Sequence, residues 1–105
     1  NGRFTNLGCT NGDNFTLNFR CPAGTYTLRF NAYKGVLGGV VDVDIDASEE
    51  GSFDLYDAGS VPLNIEEISG LALSAGAHTL KFRIDGTSAT SYQLRAEGII
   101  LQRTA

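Results

Sequence analysis

No tryptophan and no methionine occur in this 105-residue chain, and it has only two prolines, two cysteines and one histidine. No run of apolar residues approaches the roughly 18–20 that a membrane-spanning helix needs, so a helical span is excluded. No charged start leads into an apolar stretch, so nothing reads as a signal peptide. Because the first residue is Asn1 rather than Met, the chain is expected to be a processed or excised piece of a longer protein. Basic residues are also in deficit: eight Lys and Arg against twelve Asp and Glu, for a net charge of −4. They are scattered rather than clustered, which argues against nucleic acid and against a membrane surface as partners.

The scarcity of cysteine and histidine limits metal and redox chemistry. Two cysteines and His78 cannot complete a four-ligand zinc site without carboxylates. A Cys9–Cys21 disulfide would point to an oxidising compartment. The spacing argues against that bridge. If the chain from Asp13 to Cys21 is one extended strand, its ends lie about 26 Å apart. The four residues that fold back from Asp13 recover at most about 14 Å. A disulfide needs Cα atoms roughly 4.4–6.8 Å apart.

What the sequence does have is alternation. Phe15, Leu17 and Phe19 alternate with polar residues, as do Tyr26, Leu28, Phe30 and Ala32, then Val41, Val43 and Ile45. His78, Leu80, Phe82 and Ile84 repeat the pattern, followed by Tyr92, Leu94 and Ala96. Such period-two runs are half-buried antiparallel strands. Glycine-rich breakers separate them, among them Asn11-Gly12-Asp13, Gly38-Gly39 and Asp85-Gly86. Near Gly98 the apolar phase switches to Ile99 and Leu101, which predicts a β-bulge. The stretch 57–67, with Pro62, reads as an irregular crossover between two sheets, and Leu63 to Ile68 has room for a turn of helix. The expected fold is all-β: one antiparallel two-sheet β-sandwich over residues 1–105.

The run VVDVDIDASEE at 40–50 contains the densest chemistry. An EF-hand loop starting at Asp42 would need Gly and Glu where Ala47 and Phe53 stand. Alternation with Val41, Val43 and Ile45 instead makes Asp42, Asp44 and Asp46 the solvent side of a strand, with carboxylates about 6.6 Å apart. Asp46 is expected to end that strand, and Ala47 to Gly51 to turn toward Phe53. Mutual repulsion calls for cations alongside, and Arg20, Arg29, Lys81, Arg83 and Arg95 all fall on outward positions. His78 shares a face with Leu80 and Phe82, which reads as a packed, hydrogen-bonded histidine rather than a catalyst. No assembled catalytic set appears, so an enzyme is not expected.

Most aromatics fall on the apolar phase. Tyr33 and Tyr56 do not: Tyr33 ends its strand behind Asn31 and Arg29, and Tyr56 opens the irregular segment. Exposed rings beside polar groups are candidate sugar platforms.

The segments PAGTYTLRFNAYKG (22–35), GGVVDVDIDASEEGSFDLYD (38–57) and LSAGAHTLKFRIDGTSATSYQLRAEGIILQR (73–103) resemble galactose-binding-like jelly-roll modules. Similar modules are the carbohydrate-binding families 6 and 35 and the appendage domains of phage tail fibres and spikes. The resemblance implies a jelly roll and a non-catalytic, extracellular binding role, with a glycan or cell-surface polysaccharide as partner. On the sequence's own reading, the off-phase rings Tyr33 and Tyr56 and the outward polar residues Asn31, Arg29, Arg83 and Asp44 are the candidate ligand contacts. The resemblance also puts Glu97 where such modules carry a last-strand acid for a structural calcium. The partner glutamates of that site are missing, since the first acidic residue is Asp13, so no cofactor is expected. The alternative is a structural or receptor-binding module of a tail fibre or virion surface, whose partner is itself in a homotrimer.

Overall fold

The computed structural model describes residues 3–6, 10–87 and 93–105, with side chains described for all of these except 3–6. Among the described residues, eight strands run in chain order: β1 (Arg3–Asn6), β2 (Asn14–Cys21), β3 (Gly24–Ala32), β4 (Val40–Ile45), β5 (Ser48–Asp54), β6 (Ile65–Leu73), β7 (Gly76–Ile84) and β8 (Leu94–Arg103). They form two four-stranded antiparallel sheets, ordered β1-β8-β3-β6 and β2-β7-β4-β5. The expected β-sandwich is therefore what the chain adopts. The pairing is nested: first with last, second with seventh, third with sixth, fourth with fifth.

Alternation places the core between the sheets. Tyr26, Leu28, Phe30 and Ala32 of β3 face Val41, Val43 and Ile45 of β4 and Leu80, Phe82 and Ile84 of β7, all buried. Phe30 links the layers, meeting Phe82 edge-on at 5.1 Å and Phe53 at 5.6 Å. Phe82 in turn stacks on Phe15 at 5.0 Å. These arrangements suit ring quadrupoles and add to the burial energy of each ring.

The expected bulge is present. Arg29 pairs with Ile100 and Asn31 with Glu97, so β8 spends one extra residue there, and Gly98 takes φ +60°. Ile99 and Leu101 then pack on the core while Ile100 is exposed. Other expectations need correction. The segment 65–73 is strand β6 rather than helix or irregular chain, and the crossover is confined to residues 55–64. The β4–β5 turn is two residues, not five. Ile45 pairs with Ser48, and Asp46 and Ala47 have φ +52° and +66°. Positive φ at both positions is what a type I′ hairpin requires.

Connection length separates the two ends of the sandwich. The β2–β3, β4–β5 and β6–β7 turns are tight and lie together at one end, where Cys21 pairs with Gly76 and Asp46 N donates to Thr79 O. The long connections meet at the other end. Gly35 N donates to Leu55 O, Gly39 N to Gln93 O, Val40 N to Gly86 O and Lys34 N to Val61 O.

Candidate functional site

At the end with long connections, segments 33–39 and 55–61 lie side by side. Lys34 bridges Val61 in antiparallel fashion and Gly35 bridges Tyr56 in parallel. Gly38 has to be glycine here, because a Cβ would sit 1.9 Å from the Leu55 carbonyl oxygen. The backbone of this end is thus fixed by hydrogen bonds, and large apolar side chains project from it. Val36, Leu37, Tyr56 and Leu63 are exposed to 54%, 48%, 37% and 73%. A rigid frame that leaves apolar side chains in water is the usual setting for a binding loop.

The six expected contact residues divide into three groups. Tyr33 and Tyr56 reach this loop end. Tyr33 is tied down there: Arg95 lies over its ring at 5.1 Å, its hydroxyl shares a 2.8 Å hydrogen bond with Ser60, and the Gly35 backbone packs against the ring. It props up the surface, whereas Tyr56 is half exposed at it.

Arg29 and Asn31 lie on the outer face of the β1-β8-β3-β6 sheet. Arg29 gives two hydrogen bonds to Glu67, at 2.9 and 2.7 Å. Asn31 donates to the Pro62 carbonyl and to Glu97, and accepts from Asn64 N at 2.7 Å. Glu97 is thereby engaged with the Asn31 amide at 3.2 Å. Among the described residues it belongs to no group of carboxylates close enough to share an ion.

Asp44 and Arg83 occupy the outer face of the other sheet. Arg83 donates to Asp44 from Nε and Nη2 at 3.3 and 3.4 Å. The alternation that put the aspartates on the outer face is correct, but their expected exposure is not. Asp42 and Asp44 are buried, and only Asp46 is exposed. β4 is an inner strand of its sheet, so long side chains from β5 and β7 close over its short acids. The expected cation is Arg83, directly opposite Asp42 in register.

His78 is buried and hydrogen-bonded, as expected from its phase. Nδ1 lies 2.6 Å from Asp46 Oδ2, and Nε2 lies 2.7 Å from the Ser74 carbonyl. The Asp46 hydrogen bond, then that carbonyl, raise the His78 pKa. The same His78 bond, then the Thr79 N–H, lower that of Asp46.

Cys21 is a free, half-buried thiol whose Sγ lies 3.9 Å from Ser74 O, while Cys9 falls outside the described residues. A separate apolar groove of about 620 Å³ opens between the sheets at the tight-turn end, lined by residues including Phe19, Leu80, Ile99 and Leu101, with Arg20 and Arg103 on it. None of the six expected contact residues lines it. The apolar loop end was not foreseen as a unit. Val36, Leu37 and Leu63 belong to no periodic run, and only the bridges between segments 33–39 and 55–61 bring Val36 and Leu37 alongside Tyr56. No protein-family model matches the chain, and a search of curated proteins found none similar to it.

Proposed function

We propose that this protein is a non-catalytic binding module of the galactose-binding-like jelly-roll kind, with carbohydrate as its ligand. The nested strand pairing supports the jelly-roll reading, since two Greek keys wound together pair first with last and so inward. The observation that carries the ligand reading is Tyr56, half exposed on a hydrogen-bonded frame beside Val36 and Leu37. An aromatic ring presented this way offers an apolar face to a pyranose and a hydroxyl at its edge. Lys34, Asp57 and Ser60 supply polar groups close by in the same two segments. The reading carries with it an extracellular or virion-surface location.

Calorimetric titration against a panel of soluble glycans tests it. One class should bind, and Tyr56→Ala should weaken that binding at least about tenfold, the equivalent of roughly 1.4 kcal/mol. Tyr33→Phe, which removes only the Ser60 hydrogen bond, should have a smaller effect. Absence of binding across the panel, or full binding by Tyr56→Ala, would refute the assignment. A second reading draws on the exposure of Leu63 and Ile65, 73% and 51%. These side chains would suit contact between copies in a virion appendage. Light scattering at high concentration separates the two: a stable trimer favours the assembly module and a monomer the free binding module.

A further inference from the structure

Around Arg83, the outer face of the β2-β7-β4-β5 sheet gathers more negative charge than that one guanidinium neutralises. Four carboxylates surround one guanidinium: Arg83 lies 3.2 Å from Asp42, 3.3 Å from Asp44, and 3.6 Å from each of Glu49 and Asp85. Its hydrogen bonds go to Asp44. Asp42 is 2% exposed, and among the described residues its Oδ2 has no hydrogen-bond partner although Arg83 Nη2 is at ion-pair distance. A buried carboxylate oxygen in that condition is costly unless something else compensates it.

The backbone brings further acids to this side chain. Asp42 is opposite Ser52 and Asp44 is opposite Glu49, so Glu49 and Ser52 both face outward although they are an odd number of residues apart. That parity is possible only because the register shifts between Val43 and Asp44, leaving Glu50 as the extra residue of β5. The bulge re-aims Glu49 over Asp42, a common use of such irregularities. Asp85 comes from directly after β7, held there by its N–H on the Val40 carbonyl. One oxygen from each of Asp42, Glu49 and Asp85 then lies within 4.8 Å of the others. The acids feel one another: the charge of Asp42 is the largest cause raising the pKa of Glu49, hydrogen bonding with Asp42 the largest raising that of Asp85, and that of Asp42 itself is lowered.

We propose that Asp42, Glu49 and Asp85 form a binding site for a hard divalent cation, Ca²⁺ in preference to Mg²⁺. Oxygens on opposite sides of a Ca²⁺ ion, at about 2.3–2.6 Å each, are up to roughly 5 Å apart, which accommodates this set. Mg²⁺ demands a near-ideal octahedron at about 2.0–2.1 Å and parts reluctantly with its water. Three side chains on an uneven sheet surface match the looser ion. Asp42 supplies the buried ligand, while half-exposed Glu49 and Asp85 leave the outer side to water. Arg83, hydrogen-bonded to Asp44 and within ion-pair distance of all three ligands, balances part of the charge at the edge of the site. The site is independent of the carbohydrate reading and lies on a different surface from Tyr56.

Calorimetry with CaCl₂ on the chelator-treated protein tests this, alongside thermal melts in Ca²⁺, Mg²⁺ and EDTA. One Ca²⁺ should bind per chain, raising the melting temperature, with Mg²⁺ at least about tenfold weaker. Glu49→Gln and Asp85→Asn change exposed side chains and should keep the fold. Each should weaken Ca²⁺ at least about tenfold, and the double variant should abolish both the heat and the melting shift. No heat and no shift in millimolar Ca²⁺ would overturn the proposal. So would wild-type affinity in the double variant, which would put any bound ion elsewhere.

Discussion

Ala47 should be more stable as glycine. It sits with φ +66° in the β4–β5 hairpin, next to Asp46 at +52°. The left-handed region costs a non-glycine residue roughly 1–2 kcal/mol, because Cβ crowds the following carbonyl oxygen. Glycine adopts it freely but loses more chain entropy on folding, a penalty of about 0.5–1 kcal/mol against alanine. The net expectation for Ala47→Gly is a gain of about 0.5–1 kcal/mol. With an unfolding entropy near 2.1 cal/mol/K per residue, 105 residues give about 0.2 kcal/mol/K, so the melting midpoint should rise by about 2–5 °C. Urea unfolding at constant m-value measures the gain directly. Ala47→Val should go the other way by more than about 1 kcal/mol, since a β-branched residue at positive φ is a strong outlier. A lowered midpoint for Ala47→Gly would refute the two-residue turn, and with it the β4–β5 register that aims Asp46 at His78.

Stability should also depend on the His78–Asp46 pair. His78 has a raised pKa, so its contribution is complete below its unfolded value near 6.5 and is lost as pH rises through the folded value. Asp46 has a lowered pKa, so its contribution is present above about 3.8 and is lost as pH falls through the folded value. Urea midpoints should therefore decline from pH 6 to pH 9 more steeply in the wild type than in Asp46→Asn, and parallel declines would refute the pairing. At the loop end, Gly38→Ala should destabilise by about 1–3 kcal/mol or more, because its Cβ would meet the Leu55 backbone at 1.9 Å. Gly59→Ala nearby, with only Asp57 Oδ1 at 3.5 Å, should stay within about 0.5 kcal/mol, and equal effects would contradict the close approach.

The alternation read from residues 15–19, 26–32, 41–45 and 78–84 identified four strands and their inward faces, because period two is a property of each strand alone. β6 escaped that reading for a local reason. Ile65 faces outward, and the inward residues Ile68, Leu71 and Leu73 change phase across a bulge, where Tyr26 and Leu28 of β3 pair with Leu71 and Ile68 and Gly70 takes φ +72°. A phase change within a strand looks like irregular chain in one dimension. The same device near Gly98 was legible because clear alternation stood on both sides of it. Turn length was misjudged at Asp46-Ala47 because neither residue advertises positive φ as Asn-Gly would.

The acidic run shows how far alternation reaches. Periodicity tells which face a side chain takes, but not how deeply neighbouring strands cover that face. Asp42 and Asp46 occupy equivalent phases of one segment, yet Asp42 is 2% exposed and Asp46 is open to water. The difference comes from strand order and from the Glu50 bulge, both of which join residues distant in sequence. An acid at the centre of a sheet, overlaid by Arg83, Glu49 and Asp85, is no longer merely the wet side of a strand. Among the described residues its Oδ2 is met by the Arg83 ion pair but by no hydrogen bond. That condition turns a row of surface charges into a site with a definite chemical demand, met either by protons on Glu49 and Asp85 or by a cation among the three. Protons would make the site's contribution to stability grow as pH falls through the raised pKa values of Glu49 and Asp85, whereas a bound cation would make it grow with Ca²⁺ at neutral pH. The two therefore part company in a single pair of melts.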